Sequence, residues 1–120
     1  MKKKTLVFGA SLNPARYSYF AIQKLVDSGY EVKAFGKSAG EIFGVSIDTE
    51  LRPYANIDTV TIYMNAKNQN TFYSYLIALN PDRIIFNPGA ENPEFYKILD
   101  EKNIQYEIAC TLVLLSTNQY

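Results

Sequence analysis

Short runs of continuous apolar residues alternate along this chain with longer stretches in which apolar residues recur every three or four positions. The runs have the length of strands buried on both faces, and the periodic stretches have the spacing of amphipathic helices. Thr5-Leu6-Val7-Phe8 is the first run and stops at Gly9. Tyr19, Ile22, Leu25 and Val26 then mark a helix that Gly29 ends. Residues 30–35 read as a second strand, 58–63 as a third, 83–86 as a fourth and 104–108 as a fifth. Between the third and fourth, Phe72, Tyr75, Leu76 and Leu79 trace one face of a helix stopped by Asn80-Pro81. Asn92 and Pro93 are the residue types of an N-cap and a first helical position, and Phe95, Ile98 and Leu99 form the buried side that follows. Residues 111–116 read as a short apolar closing helix. The segment 36–57 is interrupted by Gly36, Gly40 and Gly44 and ended by Pro53. Only residues 43–47 read as extended there, and no crossover helix is expected. The alternation predicts an α/β chain, a Rossmann-like doubly wound sheet of five parallel strands, in one domain over residues 1–120.

Composition narrows the function. Lys plus Arg is 12 and Asp plus Glu is 12, so the net charge is zero, which argues against nucleic acid as the partner. No run approaches the length of a membrane span. The basic start Lys2-Lys3-Lys4 is followed by an apolar stretch too short for a signal-peptide core before Asn13-Pro14. The single cysteine, Cys110, allows no internal disulfide, which fits a reducing cytoplasm. The absence of histidine removes the usual general base and the commonest metal ligand, so neither a catalytic residue nor a metal site is assigned.

The turn after the first strand carries the candidate chemistry. Gly9 lets the chain bend sharply, and the small Ala10 and Ser11 let backbone N–H groups approach a ligand. The helix start behind them favours negative charge, Arg16 adds a charge-assisted donor, and the Ser11 and Ser18 hydroxyls can donate as well. The strict dinucleotide fingerprint is absent, because Ser11 and Pro14 stand where its later glycines belong. At the end of the second strand, Lys37 occupies the place of the carboxylate that reads a ribose in NAD-binding domains. A lysine there suits a ribose phosphate, as in coenzyme A or NADP. A second turn, Asn87-Pro88-Gly89-Ala90-Glu91-Asn92, follows the fourth strand, and Asn87, Gly89 and Ala90 are candidates to line the same crevice. Tyr63, at the end of the third strand, is a further candidate. Cys110 is read as a buried thiol, since no histidine is present to activate it.

Gly9-Ala10-Ser11, Asn13-Pro14, Arg16 and Ser18, followed after the helix by Ser28-Gly29-Tyr30-Glu31-Val32, resemble the small stand-alone CoA-binding proteins of bacteria. These are similar to the CoA-binding domain of the succinyl-CoA synthetase α-subunit. The 87–92 turn matches a second block of that family, which more often begins with Gln, and Cys110 matches a cysteine often present near its C-terminal end. The resemblance runs through nearly the whole chain. It implies a strand order of 3-2-1-4-5, which sets the fourth-strand turn beside the first, and a nucleotide over residues 9–18. The chain departs from it at Gly36-Lys37, where members commonly carry Asn-Pro. The expected function is binding of coenzyme A or acyl-CoA without catalysis, with a homodimer or an unidentified protein as further partner. Two alternatives stand beside it. One is an NADP- or CoA-dependent enzyme using Tyr63 and Lys37. The other is a scaffold without ligand that dimerises through Leu112, Val113, Leu114 and Leu115.

Overall fold

The first apolar run forms the central strand. In the computed structural model, which describes residues 3–120, β1 (Lys4–Ala10) buries Leu6, Val7 and Phe8 completely. It leads through a turn into α1 (Tyr17–Asp27) and then β2 (Glu31–Gly36), which pairs in parallel with β1. β3 (Gly40–Ile42) and β4 (Val45–Asp48) form an antiparallel hairpin, and β5 (Thr59–Ile62) follows. After β5 the chain winds through α2 (Ala66–Gln69), a 3-10 turn (Asn70–Phe72) and α3 (Tyr73–Ala78). β6 (Arg83–Phe86), α4 (Pro93–Glu101), β7 (Gln105–Ile108) and α5 (Thr111–Ser116) complete it.

The expectation of five strands in the order 3-2-1-4-5 is corrected. The sheet has seven strands, ordered β3-β4-β2-β1-β5-β6-β7, and only the β3–β4 pair is antiparallel. The place beyond β2 that the expected order gave to residues 58–63 belongs to β4, which pairs Ala34 with Ile47 and Phe35 with Asp48. Residues 59–62 lie on the other side of β1, pairing Thr5 with Thr59 and Phe8 with Ile62. The extra strands are short. Phe43 and Gly44, at φ +51° and +81°, make the tight turn between them, and Val45 and Ile47 are buried while Ser46 is exposed. This two-residue turn with positive φ at both positions matches the twist of a hairpin.

Helices cover both faces. On one, α3 and α4 pack over Leu6, Phe8, Val60, Ile62, Ile84 and Phe86, and Phe8 stacks on Phe35 with ring centroids 4.8 Å apart. On the other, α1 packs over Val7, Ala34 and Ile47 through Ile22 and Leu25, with Leu115 of α5 at its margin. Because β2 and β4 go one way from β1 and β5 goes the other, the strand order reverses between β1 and β5. That is where doubly wound sheets leave a crevice beyond their C-terminal ends. Among the described residues no helix is long and apolar enough to cross a membrane.

Candidate functional site

The exit of β1 is shaped by close backbone approach. The register slips between Phe8 and Ala10, and Gly9 sits at φ +101°. A Cβ there would come within 3.0 Å of the Met64 N and 3.2 Å of the Tyr63 carbonyl carbon, so glycine is required both by conformation and by space. Ala10 then pairs with Gly36, which brings the exits of β1, β2 and β5 to one edge.

The following turn satisfies itself. The Asn13 N–H donates to Ser11 Oγ at 3.1 Å, the Ala15 N–H to Asn13 Oδ1 at 2.9 Å, and the Arg16 N–H to the Asn13 carbonyl at 3.0 Å. Leu12 lies over Gly40 and ties the turn to the hairpin. The helix start is left open by contrast. Arg16 holds the N-cap position of α1, no side chain caps the helix, and its first turn carries no acid. The amides of Tyr17 and Ser18, the first two helical residues, therefore receive no side-chain cap and lie at the positive end of the helix dipole. The exposed Arg16 and Lys37 form no ion pair with any described residue.

Gly9, Ala10, Ser11, Arg16, Lys37 and Tyr63 are thus brought to the ends of β1, β2 and β5. The others are not placed alike. Ser18 is buried within α1. Asn87 is buried and fully engaged: its Nδ2 donates to Thr61 Oγ1 at 2.7 Å and the Ile62 carbonyl at 2.9 Å, and its Oδ1 accepts from the Thr111 N–H at 2.8 Å. Ala90 is in the core, and its carbonyl accepts from Gln69 Nε2. Gly89 is exposed, its N–H donating to Glu91 Oε1 at 2.8 Å. The 87–92 turn does not adjoin the first one, because β5 intervenes; one strand spacing on each side of it sets the turns roughly 10 Å apart.

Residues that the sequence did not bring forward hold this edge together. Gln69, wholly buried, donates to the carbonyls of Met64 and Ala90 and accepts from Asn92 Nδ2, so it ties the turn after β5 to the turn after β6. Asp48, at the end of β4, is held by Arg52 Nε at 3.0 Å and by the Tyr54 hydroxyl. The acid that ends β4 beside β2 is therefore neutralised, and Lys37 pairs with no acid among the described residues. No sequence signal points to the Asp48–Arg52 pair, because an i,i+4 spacing brings charges together on a helix and residues 49–52 are not helical.

Tyr63 has its hydroxyl enclosed near Thr61, Thr111 and Cys110, and burial pushes the phenol far above its ordinary value. Tyr75 and Tyr120 are raised as well, each by burial first. A group whose folded pKa is raised adds stability below its unfolded pKa and loses it as pH climbs toward the folded value. With no histidine to titrate, these tyrosines should leave melting temperature unaffected through neutrality and lower it above pH 10.0, their unfolded value. Thermal melts across alkaline pH check this; a fall well below that value would contradict it.

Grooves of about 580 and 690 Å³ lie elsewhere, the first between α1 and α5 and the second around Asn103 and Tyr106.

The family described as CoA binding domain matches the chain over residues 3–116. A crystal structure of an uncharacterized protein is similar with a TM-score of 0.96 at 42% identity, covering 100% of this chain and 99% of that one. The cell-free ID.343 protein from Thermus thermophilus shares the fold at 22% identity and TM-score 0.83, over 99% of this chain and 91% of its own. A hypothetical protein from Pyrococcus horikoshii OT3 does so at 23% identity and TM-score 0.83, over 93% and 80%. Among curated proteins none matches this sequence.

Proposed function

The chain belongs to the CoA-binding domain family, and from that premise we propose that it binds coenzyme A or an acyl-CoA as a non-catalytic, cytoplasmic single domain. The observation that carries the reading is the uncapped start of α1, with exposed Arg16 at the N-cap and no acid in the first turn. Two uncapped amides, the positive end of the helix dipole and Arg16 lie together at that helix start, and a pyrophosphate is the group such a constellation holds best. Gly9 supports it by letting the exit of β1, from which the turn is launched, lie close against the backbone of Tyr63 and Met64. Lys37, with Asp48 already neutralised beside it, supplies charge for the ribose phosphate. The pantetheine arm then runs past Tyr63 toward Gly89. Ser11 contributes a hydroxyl proton, since its oxygen already accepts from Asn13. Asn87, Ala90 and Ser18 are buried and support the strand ends from within.

Calorimetry and thermal shift with CoA, dephospho-CoA, NAD and NADP test the reading. CoA should bind tightest and, at about a hundred times its dissociation constant, add about 2.7 kcal/mol of stability. A preference for NAD would overturn the ligand assignment, and equal affinity for CoA and dephospho-CoA would remove Lys37 from the site. Arg16→Ala should weaken CoA binding about tenfold to hundredfold, through loss of a charge-assisted bond worth roughly 1.5–3 kcal/mol. The ligand-free melting temperature should barely change, because the exposed side chain has no partner among the described residues to lose. Unchanged affinity would leave the backbone amides alone as the cradle.

A further inference from the structure

The turn that follows β1 keeps its own shape but is held in place at few points. The hydrogen bonds of residues 12–15 are internal to it, and every residue from Leu12 to Tyr17 is exposed. Internal bonds fix a shape and leave its placement free, so the placement is set by the two ends of the turn and by what the turn packs against. Leu12 makes that packing contact. Its Cδ2, Cδ1 and Cγ would lie 2.6, 2.9 and 3.3 Å from a Cβ built on Gly40, the first residue of β3, and they are the three atoms nearest to it. A bare glycine is thus the seat on which the leucine rests. The seat is itself anchored, because β3 pairs with β4 and Phe43 at the tip of that hairpin meets Tyr19 of α1 with ring centroids 5.1 Å apart. Arg16 joins the turn to the helix: its N–H donates to the Asn13 carbonyl, and its own carbonyl accepts from the Tyr19 N–H. A shift of the turn therefore reaches the N-cap of α1.

We propose that Leu12 is a positioning residue for the ligand: seated on Gly40, it presets the turn and, through Arg16, the helix start that receives the pyrophosphate. The proposal rests on the CoA reading above and adds to it an element that tunes affinity without touching the ligand, the β3–β4 hairpin. Leu12 is 41% exposed, so its seat is shallow and the turn can lift at little cost to the fold. Once lifted, the turn samples placements in which Arg16 and the helix amides no longer meet one phosphate group together. The apparent dissociation constant then rises in inverse proportion to the fraction of molecules with the turn in place.

Gly40→Ala tests this from the hairpin side and leaves the turn's own sequence intact. Gly40 is exposed, its φ is not positive, and the new Cβ meets the far end of a flexible side chain, so Leu12 is pushed off while the melting temperature stays within about 3 °C of wild type. CoA affinity should fall about fivefold in Gly40→Ala and in Leu12→Ala alike. The double variant L12A/G40A should bind as Leu12→Ala does, since the side chain that the new Cβ displaces is already gone. Leu12→Met, which reaches the same seat, should stay within about twofold of wild type. Stopped-flow binding separates positioning from contact: the loss should lie in the association rate, with dissociation unchanged, because fewer molecules are ready but the complex they form is the same. Additive losses in the double variant, or an affinity indifferent to Gly40→Ala, overturn the proposal. A loss carried by faster dissociation also overturns it, by making Leu12 a ligand contact. A wild type that binds none of CoA, dephospho-CoA, NAD and NADP overturns the CoA reading and this proposal together, whereas intact binding that the variants do not move overturns the proposal alone.

Discussion

Gly36→Ala is expected to lower stability by about 3 kcal/mol, roughly 10 °C in melting temperature, and to weaken CoA binding with it. Gly36 ends β2 directly against the bulge of β1. A Cβ placed on it would lie 2.2 Å from the Ala10 carbonyl oxygen and 3.1 Å from its carbon, with Ile47 Cγ2 at 3.3 Å. The first two are backbone and cannot rotate aside. Relief requires β1 and β2 to part at Ala10, the residue from which the Ser11 to Arg16 turn is launched. Gly44→Ala supplies the comparison. No atom comes within 4 Å of its Cβ, so its cost is the positive φ alone, about 1 kcal/mol. Denaturant unfolding of both variants separates contact from conformation. Equal losses would mean that the sheet edge yields freely at Ala10, and the close approach of β1 and β2 would then have no part in shaping the site.

The same glycine shows what the sequence could not convey. Read along the chain, Gly36, Gly40 and Gly44 look alike, as breaks in an illegible segment. In the fold Gly36 accommodates a carbonyl, Gly40 lies beneath Leu12, and Gly44 turns a hairpin. The central strands were legible because Leu6, Val7, Phe8, Ile84, Ile85 and Phe86 are apolar on both faces, a pattern that only a sheet covered twice requires. The helix boundary at Asn92-Pro93 was legible because capping is local: Asn92 Oδ1 accepts from the Phe95 N–H. β3 escaped, and β4 was legible only as an extended piece over residues 43–47, because two strands of three and four residues around a hairpin turn show too few apolar positions to stand out: Ile42, Val45 and Ile47. Strand order escaped because the side of β1 that a strand takes is decided by pairing between residues far apart in sequence. The turn at Gly9 was found from glycine and small residues in series, whereas the open N-terminus of α1 is visible only once Arg16 is seen at the cap. Gln69 gave no signal at all. A glutamine in a polar stretch reads as surface, and only the meeting of two turns makes it a buried tie.

Asn87→Ala should cost about 3–4 kcal/mol and leave the CoA affinity of the folded protein nearly unchanged. Sequence position at the end of β6 made Asn87 a natural ligand contact, but its side chain faces the interior. Its Oδ1 accepts from the Thr111 N–H, the first amide of α5, and Cys110 at the N-cap supplies no side-chain bond of its own. Asn87 therefore caps α5 from a distance while its Nδ2 binds β5 through Thr61 and Ile62. Truncation orphans a buried backbone donor, which costs about 1–3 kcal/mol, and removes further bonds worth about 1 kcal/mol each. Asn87→Asp sharpens the test. It keeps the acceptor for Thr111, but as a carboxylate it has no proton for Thr61 or Ile62 and is buried without a cation. Its folded pKa should be raised above the unfolded value of about 3.9. A raised folded pKa means that the protonated form is the one the fold tolerates, so the deficit against wild type should be small near pH 4 and grow as pH rises to neutrality. Parallel denaturant curves at the two pH values measure it. If Asn87→Ala instead lost CoA affinity at an unchanged melting temperature, the residue would belong to the ligand and α5 would hold its place without it.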